Sequence, residues 1–107
     1  EPIEGGAVPA AAGVNPGKYT YVDETPMGTK TWTVGVFGNG GGMIGIQEGD
    51  GEEVQHDYDA WTDNGDGTVT TGKWVEGTDG VELPPWFAED GTATWKLGPD
   101  ETCEPVE

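Results

Sequence analysis

Serine, cysteine and histidine, the residues of the common nucleophilic triads, are nearly absent from this 107-residue chain, which contains no serine, one cysteine and one histidine. The missing serine excludes a Ser-His-Asp triad, and a Cys-His pair would require Cys103 to lie beside His56. Paired carboxylates can hydrolyse glycosidic bonds, but acidic residues are so numerous that no pair stands out. His56 with Asp57 and Asp59 comes nearest to a hydrolytic group. We therefore expect a protein that is not an enzyme, and we rank a weak hydrolase third among the hypotheses.

Positive charge is also scarce, because four lysines and no arginine stand against 21 acidic residues, for a formal net charge of −17. Binding to nucleic acid needs a basic surface that neutralises phosphates, so nucleic acid is excluded as an expected partner. Anionic membrane surfaces are disfavoured for the same reason. Such a charge strains a compact fold by self-repulsion, which salt screens. The charge is first interpreted as a simply solvated acidic surface, and the alternative is a saline or divalent-rich environment or a cationic partner.

Neither an internal disulfide nor a long apolar run is available. Cys103 is the single cysteine, so it is a free thiol or it bridges to another chain. No apolar stretch approaches the roughly 20 residues that span a bilayer, so we expect no transmembrane segment. The chain begins at Glu1, as a mature product does after its signal is removed, although an expression product would look the same. We predict an extracytoplasmic location: periplasmic, cell-surface or secreted.

The residues that are plentiful, among them glycine, threonine, valine and tryptophan, form a pattern of short strands separated by turns. From Thr29 to Phe37 the side chains alternate, with Trp32, Val34 and Val36 on one face, as in a half-buried antiparallel strand. Other short segments separated by turn residues predict further strands at 18–22, 43–47, 54–60, 68–75, 81–83 and 92–97. The prediction is an all-β fold: an antiparallel meander of about seven strands that forms a small barrel or a sandwich.

Both ends differ in composition from the middle of the chain. Residues 1–17 combine three prolines with four glycines and three successive alanines, which predicts an extended arm or tether. Residues 18–99 form the predicted β domain, and residues 100–107 form a predicted acidic tail. Two tether-like ends around one domain suggest attachment to a larger assembly.

The clearest hairpin spans residues 61–74, where Asn-Gly and Asp-Gly pairs lie between two tryptophans. These pairs supply the positive φ angles of tight turns. The hairpin's pattern of a turn glycine followed by outward-facing threonines begins at Gly67 and is repeated at Gly28 and Gly91. Trp74 then joins Trp32 and Trp95 in a predicted aromatic core.

Acidic and amide side chains around this hairpin suggest a hard-cation site, since Ca²⁺ takes six to eight oxygen ligands. The loop fails the EF-hand pattern, because Gly65 stands at its third position and Trp74 at its twelfth. We nevertheless retain a different calcium site as a hypothesis, and its candidate ligands are Asp57, Asp59, Asp63, Asn64 and Asp66. No other cofactor is expected.

Aromatic residues near loops suggest a contact surface. Trp61, Trp86 and Phe87 are the candidates, and Cys103 is added as a site of pairing with another chain. Trp86 and Phe87, which follow Pro84-Pro85, have two readings: a plug for one end of the core or an exposed patch. Exposed tryptophans on a sheet can also stack against sugars, so carbohydrate is a further candidate ligand.

Three segments carry a family resemblance: Gly17-Lys-Tyr-Thr, Asp66-Gly-Thr-Val-Thr-Thr-Gly-Lys-Trp and the late Cys103. With them the chain resembles small acidic lipoprotein-type β domains exported by Gram-negative bacteria. The chain departs from that pattern by having no second cysteine and no N-terminal lipid-bearing cysteine. The resemblance implies a periplasmic or cell-surface location and assigns no functional residues.

The expected function is therefore that of a non-enzymatic, exported β domain. It would serve as an accessory or structural subunit and bind a protein partner or further copies of itself. The alternative is a Ca²⁺-dependent or carbohydrate-binding module.

Overall fold

A computed structural model describes residues 14–106 of the chain. Most of the predicted arm at residues 1–17 lies outside this range, as does Glu107. Eight strands form in the described part: Gly17–Thr25 (β1), Gly28–Val36 (β2), Gly42–Glu48 (β3), Val54–Tyr58 (β4), Trp61–Asp63 (β5), Thr68–Thr71 (β6), Ala93–Leu97 (β7) and Cys103–Pro105 (β8). The all-β prediction is confirmed, and residues 14–106 contain no helix that could cross a membrane.

The strands form two antiparallel sheets with neighbours in chain order. Sheet one contains β1 to β4 and sheet two contains β5 to β8. Short turns join most strands, and the Pro26-Met27 turn between β1 and β2 has only two residues. The predicted meander is therefore present within each sheet. Neither sheet closes into a barrel over residues 14–106.

Three strand predictions need correction. The segment 68–75 stays extended only to Thr71, because the chain leaves the ladder at Gly72, and residues 81–83 form no strand. The predicted tail at 100–107 contains β8, which pairs with β7 through Leu97 and Cys103. A strand of three residues is too short to show alternation, so the sequence pattern missed it.

The two sheets also meet at their edges. Thr20 of β1 forms a parallel bridge with Thr102, and its N–H donates to the carbonyl of Glu101 at 2.9 Å. At the other edge, Tyr58 of β4 bridges Trp74, and the Val75 N–H donates to the Asp57 carbonyl at 2.8 Å. These contacts fix the position of sheet two over sheet one.

One core lies between the sheets. Sheet one contributes Trp32, Val34, Val36, Ile44, Ile46 and Tyr58, while sheet two contributes Val69, Ala93, Trp95 and Cys103. Trp32 and Trp95 have no exposed surface, and Trp74 has 4%. The predicted aromatic core is therefore present. Burying three such rings supplies much of the hydrophobic stabilisation that a chain with few aliphatic residues needs.

The long segment between β6 and β7, residues 72–92, packs against the side of the core. Trp86 and Phe87 are half-buried in this segment, and the Phe87 ring centroid lies 5.3 Å from that of Trp32. Trp86 meets Trp32 edge to face at 5.8 Å. Four buried indole N–H groups have no hydrogen-bond acceptor among residues 14–106: those of Trp32, Trp74, Trp86 and Trp95. Edge-to-face packing offsets part of this cost, since it sets ring edges against π faces.

Candidate functional site

The inner face of sheet one is longer than the part that the core covers. Strands β1 and β2 have nine residues each, whereas β5 and β8 have three and β6 has four. Side chains of one parity face inward, and the strand register arranges them in rows across the sheet. The rows are Gly17–Val36–Gly42–Tyr58, Tyr19–Val34–Ile44–His56, Tyr21–Trp32–Ile46–Val54 and Asp23–Lys30–Glu48.

The last of these rows, with the adjoining Val54, is left uncovered. Val54 faces the same side as Trp32, yet it is 55% exposed while Trp32 is fully buried. Glu48 is exposed and Lys30 is half-buried. The strands therefore extend beyond sheet two at the end that carries the β1–β2 and β3–β4 turns.

This open end forms a recess of about 490 Å³, which we call the acidic recess. Its apolar floor comes from Ile46 and Val54, and Val81 contributes from the opposite side. The residues that line it are Lys30, Ile46, Glu48, Gly51, Glu52, Val54, His56, Gly80, Val81 and Glu82. A concave surface with an apolar floor and a few charged groups is the usual form of a binding site.

Hydrogen bonds hold both walls of the recess. In the β3–β4 turn, the Gln47 side-chain amide donates to the Gly51 carbonyl at 2.8 Å, and the Gly49 N–H donates to the Thr29 carbonyl at 2.8 Å. In the opposite wall, the Val81 N–H donates to the Thr78 carbonyl at 3.0 Å. The Thr78 hydroxyl in turn donates to the Glu89 carbonyl at 2.7 Å. The recess is thus built from two braced turns.

The charge of the recess is predominantly negative. Three glutamates, Glu48, Glu52 and Glu82, line it against a single lysine. Lys30 lies between Asp23 and Glu48 in the register, and its ammonium nitrogen is 5.3 Å from the centroid of the Trp32 ring. An ammonium group over an indole face is attracted by the ring quadrupole. Lys30 therefore offsets part of the negative charge while it covers the edge of the core.

A second recess of about 550 Å³ continues around the β1–β2 turn and shares Lys30, Glu48 and Glu82 with the first. Met27 lines it and is 96% exposed, the highest value among the exposed large hydrophobic residues. Methionine adapts its shape to different apolar surfaces. The open end of sheet one thus presents an adaptable apolar side chain next to a carboxylate rim.

His56 lies at the edge of the recess and does not pair with Cys103. Its ring stacks on Trp74, with centroids 4.4 Å apart and planes 11° apart. Cys103 belongs to β8, which adjoins β1, whereas His56 lies on β4 at the other edge of sheet one. The Cys-His pair considered from the sequence is not assembled. The Asp57 side chain points to the face opposite His56 and does not join it in the recess.

The predicted calcium ligands divide between the β5–β6 turn and the end of β4. Asp63 accepts hydrogen bonds from the N–H groups of Val14 and Gly65, both at 2.9 Å. The Asn64 amide donates to the hydroxyls of Thr68 and Thr70.

Asp66 accepts from both the hydroxyl and the N–H of Thr68, and these bonds hold the pKa of Asp66 below its ordinary value. Over residues 14–106, no three acidic, histidine or cysteine side chains converge on a point that could hold a metal ion. The five predicted ligands do not form one cluster, and calcium binding stays a prediction.

The predicted contact residues have different environments. The Trp61 indole N–H donates to the Phe37 carbonyl at 3.0 Å, and the ring is half-buried, so its role as a contact stays a prediction. Trp86 and Phe87 fill the core, which favours the plug over the exposed patch. Cys103 is a free thiol, one of its two predicted states, and it is only 3% exposed, so it offers little surface for the predicted contact with another chain. Burial raises the pKa of its thiol to about 12, with a smaller contribution from Glu104.

Sequence reasoning missed the residues of the acidic recess, above all Lys30, Glu48, Val54, Val81 and Glu82. One signal was present: Lys30 and Glu48 continue the inward parity of Trp32 and Ile46 but carry charge. A charged residue on the core parity of a strand marks the place where the core ends. The contribution of Val81 and Glu82 had no such signal, because their position depends on the fold of the long segment.

Comparison with family models, with curated proteins and with solved structures finds no match to this chain.

Proposed function

We propose that this chain is a non-enzymatic, exported β-sandwich domain that binds a protein partner through the acidic recess. In this view it serves as an accessory or structural subunit of an extracytoplasmic assembly. Two sheets that enclose one core support the sandwich. The resemblance to exported lipoprotein-type domains and the high negative charge support the location.

One observation carries the proposal: the inner face of sheet one remains uncovered at the end that bears Val54, Met27 and the glutamate rim. An inward-facing valine that stays 55% exposed in the acidic recess, and a methionine that is 96% exposed in the adjoining recess, offer apolar area for burial by a second protein. The recess is bounded by hydrogen-bonded turns, so it needs little rearrangement to bind.

The test is recovery of the partner from the native source. The full chain carries a photo-crosslinking amino acid at position 54 in one sample and at position 22 in a control. Val22 is the matched control because it is 52% exposed on β1 but has the opposite parity, and so lies on the outer face of the same sheet. We expect a discrete crosslinked protein from position 54 and none from position 22. Equal or absent crosslinking at both positions would contradict the proposal.

The alternative ligands are tested on the same protein. A calcium titration and a glycan panel are followed by calorimetry and by melting temperature. Heat with calcium that is lost in Asp63→Asn would replace the proposal with a cation-binding module. A glycan response that is lost in Trp61→Ala would replace it with a carbohydrate-binding module.

A further inference from the structure

The chemistry of the acidic recess restricts which partner can occupy it. A second copy of this chain would bring another formal charge of −17 against the same rim, and the described recess itself has three glutamates against one lysine. Like charges at such a surface are repelled unless they are screened or paired. The segment before Val14 contains Glu1 and Glu4 and no lysine, so it is poorly suited as well. The complementary occupant is cationic and comes from a different protein.

The floor of the recess sets a second requirement. Ile46 and Glu48 are two residues apart on β3 and face the same side, so their side chains are about 7 Å apart along the strand. Val54 lies beside Ile46 on the neighbouring strand, and Val81, from the segment between β6 and β7, lines the same recess. An extended segment has the same spacing between its alternate side chains. It can therefore place an apolar side chain on the floor and a cationic one, two positions away, at the rim.

We propose that the acidic recess binds an extended, cationic segment of another protein, with an apolar side chain against Ile46, Val54 and Val81 and a lysine or arginine against Glu48 and Glu82. This inference rests on the proposed function and names the partner chemistry at the same site. Lys30 opposes the incoming charge, so it limits the affinity. Removal of the Lys30 charge must therefore strengthen binding, whereas removal of a glutamate charge must weaken it.

The probe is a fluorescein-labelled heptapeptide, Val-Thr-Lys-Thr-Val-Thr-Lys, in which valine and lysine stand two positions apart and so face the same side of an extended chain. This lysine-valine peptide is titrated with the full chain in low salt and followed by fluorescence anisotropy. Two comparison peptides separate the contributions: one replaces every valine by glycine, and the other replaces every lysine by glutamate. We expect the lysine-valine peptide to bind, the lysine-glycine peptide to bind at least tenfold more weakly, and the glutamate-valine peptide not to bind. Equal binding of the two lysine peptides would overturn the apolar part of the proposal.

Matched variants separate the recess from the general acidity of the surface. Glu48→Gln and Glu82→Gln are each expected to weaken binding about threefold to fivefold, since exposed ion pairs contribute up to about 1 kcal/mol. Glu104→Gln removes the same net charge from the exposed outer side of β8 and is expected to change nothing. Lys30→Met is expected to strengthen binding by a similar factor, whereas Lys18→Met, on the outer face of β1, leaves it unchanged.

Equal weakening by Glu82→Gln and Glu104→Gln would show diffuse attraction to an acidic surface and would overturn the inference. The crosslinking result is read separately. Suppose that a partner is captured at position 54 and that its binding does not change in Glu48→Gln or Glu82→Gln. The proposed function then stands, and this inference is wrong. Suppose instead that the lysine-valine peptide binds specifically but no partner is crosslinked. The recess then has the proposed binding chemistry, and the proposed function is wrong.

Discussion

The inner face of sheet one has a covered end and an open end, although the same strands form both. At the covered end, Trp32 and Val34 lie beneath the core and have no exposed surface. At the open end, Lys30 and Val54 have the same inward parity, yet neither is fully buried. Strand parity alone therefore does not decide whether a position is buried in the core or exposed on the surface. The length of the opposing sheet decides it.

The largest expected difference between the two ends is in stability. Trp32→Ala should lower the free energy of unfolding by about 3–5 kcal/mol, because it removes a fully buried ring and leaves a cavity. Val54→Ala, on the same face, should stay within about 0.5 kcal/mol. Urea unfolding followed by tryptophan fluorescence measures both changes. If Trp32→Ala prevents folding, Trp32→Phe supplies a smaller loss of the same sign, and comparable losses at positions 54 and 32 would contradict the comparison.

Close packing at the covered end gives the next effect. Gly42 lies beneath the Tyr58 ring, whose hydroxyl donates to the Gly35 carbonyl at 2.6 Å, and a Cβ at position 42 would overlap both. Gly42→Ala should therefore cost about 1–3 kcal/mol by overpacking. Gly38→Ala is the control, since a Cβ there meets nothing within 4 Å. Thermal unfolding of both variants measures the difference, and a neutral Gly42→Ala would show that the covered end is loosely packed.

Alkaline pH should lower the free energy of unfolding through Cys103, which packs in the core from β8 of sheet two. Burial raises the pKa of this thiol from 9.0 to about 12, so the native state holds the proton more tightly than the unfolded chain does. The resulting stabilisation is fully present below pH 9 and is lost as the pH rises through about 12. Between pH 8 and 10, the wild type should lose about 1 kcal/mol more than Cys103→Ala does.

Comparing the slopes of the two stability profiles isolates this thiol, because the buried Tyr58, whose pKa is also raised, is present in both proteins. The native thiol should also resist an aromatic disulfide reagent until the chain is unfolded. Parallel profiles together with rapid native labelling would place Cys103 at an accessible position and would restore its predicted pairing with another chain.

The smallest effect is expected at the open end. Glu48→Gln relieves repulsion among the acidic groups of the recess and should raise the melting temperature by one or two degrees in low salt, in line with a few tenths of a kcal/mol. The gain should disappear in 0.5 M salt, which screens the repulsion. Differential scanning calorimetry at the two salt concentrations measures it. A loss of stability in Glu48→Gln would mean that this carboxylate forms a stabilising pair in the recess.

Much of the fold could be predicted from the sequence because antiparallel strands leave a local signal. The alternation around Trp32, Val34 and Val36 and the turn pairs at Asn64-Gly65 and Asp66-Gly67 each depend on a few neighbouring residues. β8 could not be predicted, since three residues carry no period. The predicted acidic tail at residues 100–107 therefore contains a strand, and Cys103, named as a candidate contact with another chain, lies in the core as a free thiol.

The candidate site was less predictable than the fold. Asp63, Asn64 and Asp66 attracted attention as a local acidic cluster, but their side chains are used within the β5–β6 turn. The acidic recess, by contrast, brings together Lys30, Val54 and Glu82, which are far apart in the chain. Local patterns identify turns well, whereas a recess depends on which distant segments meet.

The sequence by itself determined the strand class, the inward parity of the tryptophans and the strong negative charge, since each follows from residue identity and local spacing. Only the tertiary structure decided at which residue the inward-facing side chains of a strand cease to be buried in the core. The strands of sheet two have three to five residues, whereas β1, β2 and β3 of sheet one have seven or nine. The segment with Trp86 and Phe87 fills the side of the core but leaves the row of Lys30 and Glu48 uncovered. Coverage depends on long-range packing, and no local pattern encodes it.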